Sequence, residues 1–193
     1  MSVITSMLRR LLGASVALCA IASTAAADTG QTAEATFYPL FMRGQLVGCQ
    51  VGFSVIRQDD EFGGGEPTLA NGLIAAYGPR ADRMGAMLRL GVLNSAGQAF
   101  QPPERAFLVN GFRTNAAETG ESFLSDTPGF RVIPYALGET TVDAIFGMAE
   151  DGSLEFVYGM PRTSVDARVR VDLRDYPEVL QQWGACLLEA LRE

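Results

Sequence analysis

The feature that most constrains the fold is an alternation of apolar with polar or small residues, which has the period of β-strands. In its clearest example the apolar positions are Val47, Cys49, Val51, Phe53 and Val55, and the residues between them are small or polar. Successive side chains of a strand point to opposite faces, so this pattern predicts a strand with one buried face. Residues 36–42 before it and the turn Arg43-Gly44 predict a hairpin, in which Pro39 places the first strand at a sheet edge.

Further segments of the same kind predict an antiparallel sheet. The additional predicted strands are 69–77, 84–93, 106–109, 130–136, 154–160 and 166–173. Asn110-Gly111 is a strong hairpin turn signal, and the last two segments are predicted to pair with each other. The polar segment 115–128 is predicted to be loop, with Phe123 and Leu124 reaching back to the core.

Two segments have helical features. In the last one the apolar residues form a single helical stripe: Val179, Leu180, Trp183, Cys186, Leu187, Ala190 and Leu191. Asp175 and Glu178 predict a capping box for this helix, and Pro177 fits its first turn. Residues Glu139–Glu150 fit a helix or a strand, and the helix is preferred because its apolar residues fit a stripe that Gly152 would end.

Together these elements predict an α+β fold. We expect an antiparallel sheet of about six to eight strands with a C-terminal amphipathic helix packed on one face. The alternative is a β-sandwich with an appended helix. No internal repeat or linker divides residues 28–193, which we expect to form one globular domain.

Residues 1–27 have the features of a cleaved signal peptide. Arg9 and Arg10 precede an apolar run that ends near Ile21, and Ala25 and Ala27 form a cleavage site of the A-x-A type. The apolar run is shorter than the roughly 20 residues that a membrane-spanning helix needs. We therefore expect a mature chain of residues 28–193 in the periplasm or outside the cell, with no membrane span.

Charge and composition exclude several function classes. The chain has 15 basic and 22 acidic residues, a formal net charge of −7, which disfavours binding to nucleic acid. It contains no histidine, and all of its basic residues are arginine. Histidine-dependent nucleophiles, Schiff-base lysines and P-loop lysines are therefore excluded, and no cofactor, metal site or catalytic residue is predicted.

After removal of residues 1–27, Cys49 and Cys186 are the two remaining cysteines. Cys49 lies on the apolar face of its predicted strand, and Cys186 lies on the apolar stripe of the last helix. In an oxidising compartment such a pair most simply forms a disulfide. The alternative is two separate buried thiols.

Three groups of side chains are candidate ligand sites. Asp59, Asp60, Glu61 and Glu66 could hold a cation, but their spacing matches no calcium-loop template, and a solvated acidic loop is the favoured interpretation. Arg168, Arg170 and Arg174 could bind an anion, with pairing to nearby aspartates as the alternative. Aromatic and methionine residues could line an apolar cavity between sheet and helix, or could simply fill the core, and the candidates are Phe41, Met84, Met87, Tyr158 and Met160.

The order of elements in the last third of the chain is similar to that of small periplasmic proteins of the invasion-associated locus B type. An amphipathic segment, a hairpin and a cysteine-bearing terminal helix follow one another over residues 139–191. The resemblance lies in this order and carries over no functional residue.

These observations favour a non-enzymatic binding or envelope-interaction protein, whose partner is an apolar small ligand or an envelope protein. The alternative is a hydrolase that uses carboxylates alone, since Asp and Glu can act without histidine or lysine. Such an enzyme needs two facing carboxylates, one with a pKa raised by burial.

Overall fold

The computed structural model describes residues 31–58, 66–81, 84–94, 97, 99–161, 163 and 165–191. The predicted signal peptide and the acidic residues Asp59, Asp60 and Glu61 lie outside the described residues. Within these ranges no helix is long and apolar enough to cross a membrane.

The described residues form ten strands and two α-helices. The strands are β1 (Thr32–Met42), β2 (Gln45–Gln58), β3 (Pro67–Tyr77), β4 (Gly85–Asn94), β5 (Arg105–Asn110), β6 (Arg113–Thr114), β7 (Phe123–Leu124), β8 (Arg131–Tyr135), β9 (Ser153–Gly159) and β10 (Ala167–Asp172). The helices are α1 (Glu139–Glu150) and α2 (Pro177–Ala190). The preference for a helix at Glu139–Glu150 is therefore confirmed.

The strands form two antiparallel sheets. The large sheet has the order β1-β2-β3-β4-β8-β7, and the small sheet has the order β10-β9-β5-β6. Strand β1 lies at an edge of the large sheet, as Pro39 predicts, because an edge strand tolerates a residue without an N–H. The predicted α+β class is confirmed, and the division of the strands into two sheets is a feature shared with the sandwich alternative.

The apolar faces of the two sheets meet in one core. The ring centroids of Phe53 on β2 and Phe156 on β9 are 5.0 Å apart. The Tyr135 hydroxyl on β8 donates to the Ala106 carbonyl on β5 over 3.1 Å. The alternating residues of β2 are buried on this inner face, as their pattern predicts.

Helix α2 packs on the large sheet and is tied to it covalently. A disulfide joins Cys49 on β2 to Cys186, with 6.0 Å between their Cα atoms, so the predicted bridge is confirmed. The indole Nε1 of Trp183 donates to the Ile145 carbonyl of α1 over 3.3 Å, which links the two helices. Most of the predicted stripe of α2 is buried.

The predicted capping box of α2 is wrong. The N-cap residue is Tyr176, whose side chain makes no capping hydrogen bond, and Pro177 is the first helical residue. Asp175 instead ends a short 3₁₀ turn, Leu173–Asp175, that precedes the helix. The Asp172 carboxylate caps that turn by accepting from the Arg174 N–H over 3.1 Å.

Candidate binding site

The outer face of the large sheet, which points away from the small sheet, carries the candidate site. Because side chains alternate along each strand, the residues between the core positions share this face. Two rows cross it in register. One contains Tyr38, Gln50, Ala75, Met87 and Pro134, and the other contains Thr36, Gly52, Leu73, Arg89 and Val132.

An apolar groove of about 1000 Å³ lies on one half of this outer face. Its walls include Met42 at the end of β1 and Tyr77 at the end of β3. Met84, just before β4, Met87 on β4 and Phe123 on β7 also line it. Met84 is 53% exposed and Phe123 is 55% exposed. Large apolar side chains that gather at an open concave surface are typical of an interaction site.

The structure brings only some of the predicted cavity residues together. Met84 and Met87 line the groove, while Phe41 is 64% exposed next to Met42 and does not line it. Tyr158 is fully buried beside Phe156, with 6.2 Å between ring centroids, and Met160 packs against the edge of the core. The groove lies on the outer face of the large sheet rather than between sheet and helix.

The expectation that Phe123 and Leu124 reach the core is wrong. They form the short edge strand β7, which pairs with β8, and both side chains are exposed. Adjacent residues of a strand point to opposite faces, so the two could not both be buried by one core. Phe123 is therefore a groove residue and not the core residue that its sequence predicts.

A smaller polar pocket of about 330 Å³ lies on the other half of the outer face. Tyr38, Gln50, Ser54, Asn71 and Arg89 contribute to its walls. The Asn71 side-chain amide donates to the Ser54 hydroxyl over 2.7 Å, which holds both groups in place. The outer face therefore has an apolar half and a polar half.

Arg89 on β4 lies where the two halves meet. Its guanidinium carbon is 5.3 Å from the centroid of the Phe130 ring, a cation–π distance. The ring occupies the space above Gly91, where a Cβ atom would lie 2.9 Å from it. The Nε atom of Arg89 is buried and has no acceptor among the described residues.

The three arginines of the predicted anion site have carboxylate partners. Arg168 and Arg170 pair with Glu155 over 2.7 and 3.2 Å, and Arg174 pairs with Asp172. Of the two aspartates expected as partners, Asp172 pairs with Arg174, whereas Asp166 pairs with Arg105 instead. The surface is thus charged and ion-paired, with Glu155 as the partner that was not expected. Among the described residues, no group of three or more His, Cys, Asp or Glu side chains is placed to hold a metal ion.

Glu118 lines the groove but has a structural role. Its carboxylate accepts from the N–H groups of Thr140 and Thr141 over 2.9 and 2.7 Å at the start of α1. Burial acts to raise the pKa of Glu118, but the hydrogen bonds from Thr141 and Thr140, helped by Arg113, outweigh it, and the pKa is lowered. A general acid needs the opposite shift.

Comparisons of the chain with known protein families, with curated proteins and with solved structures find no significant match. The function therefore has to be inferred from the residues of the chain itself.

Proposed function

We propose that this chain is an exported, non-enzymatic binding protein that holds an apolar small ligand on the outer face of its large sheet. The observation that carries the proposal is the groove of about 1000 Å³ with Met84 and Phe123 exposed in its walls. Covering these side chains with a ligand would remove apolar surface from water, which is the main favourable term in such binding.

The location is part of the same proposal. The signal-like residues 1–27 favour export, and the Cys49–Cys186 disulfide fits an oxidising compartment. The test is mass spectrometry of the protein recovered from the periplasm or the medium of an expressing bacterium. A chain that begins at Asp28 supports the proposal, whereas an uncleaved chain in the cytoplasm contradicts it.

The groove is tested with a neutral apolar dye, Nile red, whose fluorescence rises in an apolar environment. We expect saturable binding to the intact protein and about tenfold weaker binding to Phe123→Ser, because the variant loses one aromatic wall of the groove. The matched control is Phe112→Ser, since Phe112 is fully exposed at a hairpin tip outside the groove.

Equal dye affinity for the Phe123→Ser and Phe112→Ser proteins would contradict the assignment of the groove. Both variants alter exposed side chains, so we expect both to fold, and circular dichroism checks this. Binding of the dye only to heat-denatured protein would overturn the proposed function as a whole.

A further inference from the structure

Arg89 adjoins the wall of the apolar groove. It is in register with Val132, a groove residue, and lies on the same strand face as Met87, about 7 Å away along β4. Arg89 itself lines the adjoining polar pocket, so a ligand that fills the groove and extends past Met87 or Val132 into that pocket would meet the arginine.

Arg89 differs in its partners from most of the arginines that the structure describes. Six of the described arginines pair with carboxylates, namely Arg80, Arg105, Arg113, Arg168, Arg170 and Arg174. Within the described part of the chain, Arg89 has no such pair and packs on Phe130 instead. A partly buried cation of this kind gains more from an incoming anion than a solvated one does, because less water screens it.

The surroundings also orient a charged ligand. Glu118 and Glu121 line the groove from the segment between β6 and β7, so an anionic group is disfavoured on that side. Glu34 lies in the polar pocket but on β1, roughly 14 Å from β4 across two intervening strands. The favourable position for a negative group is therefore beside Arg89.

We infer that the groove binds a long-chain carboxylate, with its head group at Arg89 and its acyl chain over Met87 toward Met84. This inference rests on the proposed function and adds the chemical class of the ligand. A guanidinium matches a carboxylate in geometry as well as charge. The Cα atoms of Arg89 and Met84 are five residues apart, about 17 Å along an extended strand. This length suits an extended acyl chain.

The test measures displacement of Nile red by dodecanoate and by dodecanol, which share a chain but differ in the head group. We expect dodecanoate to bind about tenfold more tightly than dodecanol, because a hydrogen bond between charged groups contributes a binding free energy that corresponds to about a tenfold change in affinity. In Arg89→Gln the preference should vanish while dodecanol binding stays unchanged. Arg170→Gln, on an exposed face of the small sheet, is the matched control and should keep the preference.

The outcomes separate this inference from the proposed function. Equal affinities for acid and alcohol in the unmodified protein would overturn the inference and leave an apolar groove in place. Tighter binding of dodecyl phosphate than of dodecanoate would also overturn it, because the head group would then not be a carboxylate. If neither compound displaces the dye and the dye itself does not bind, the proposed function fails too.

Discussion

At the scale of single residues, Asn115 connects elements that are distant in the sequence. It is 1% exposed, although it lies in a segment whose composition predicts a polar loop. Its Oδ1 accepts from the Leu108 N–H of β5, and its Nδ2 donates to the Thr141 hydroxyl of α1, both over 2.9 Å. Buried polar groups with complete partners of this kind fix the position of one element against another.

We predict that Asn115→Ala lowers the free energy of unfolding by about 2–3 kcal/mol, because the Leu108 N–H and the Thr141 hydroxyl lose their buried partner. Urea denaturation measures this. The control is Asn71→Ala on the outer face, where a loss below about 1 kcal/mol is expected since Ser54 can bond to water. Equal effects of the two substitutions would mean that Asn115 has no special role.

At the scale of elements, α2 depends on its apolar stripe and on the disulfide. The bridge spans 137 residues, so chain-entropy arguments give on the order of 4–5 kcal/mol as an upper figure for its contribution. This is comparable to the net stability of a typical domain. A terminal helix without the bridge would be held by packing alone, and terminal elements open first.

The double variant Cys49→Ala/Cys186→Ala should therefore melt at a substantially lower temperature, and α2 should open before the sheets. We expect protease cleavage near Trp183 while the β9–β10 hairpin stays protected, as read by limited proteolysis with mass spectrometry. Reductant should lower the melting temperature of the unmodified protein and leave that of the variant unchanged. Cleavage of all elements at one rate would show that α2 does not open separately.

At the scale of the whole molecule, the pH dependence of stability follows from a few groups. The Arg174 side chain lowers the pKa of Asp172, and hydrogen bonds at the start of α1 lower that of Glu118. A carboxyl group whose pKa is lowered by folding stabilises the folded state at any pH above the ordinary carboxyl pKa. This stabilisation is lost as the pH falls through the pKa that the group has in the folded state. Burial raises the pKa of Tyr135, so stability is present below about pH 10 and falls as pH rises above it.

We predict a flat stability plateau between about pH 5 and 9, because the chain has no histidine to titrate in that range. The urea midpoint measured from pH 3 to 11 should fall at both ends. Glu118→Gln should lower the plateau and make the acid decline shallower, and Tyr135→Phe should make the alkaline decline shallower. A step in the midpoint near pH 6–7 would contradict this account.

The sequence by itself predicted most of the local elements and favoured the covalent link. The alternation of apolar and polar residues indicated which side chains of β2 share a face. The apolar stripe indicated the buried side of α2. The position of Cys49 and Cys186 on these apolar faces predicted that they form a disulfide. These features depend on neighbours along the chain and on chemistry that holds in any fold, so they can be predicted without tertiary structure.

Only the tertiary structure decided how the strands divide into two sheets and which face of the large sheet stays open. Alternation tells which side chains share a face, but whether that face is covered depends on elements distant in sequence. Met84 and Met87 were predicted as cavity residues, yet the groove exists because Phe123 on β7 pairs beside β8. Arg89 lies beside the groove because its backbone is in register with Val132, a position set by strand pairing rather than by any local signal.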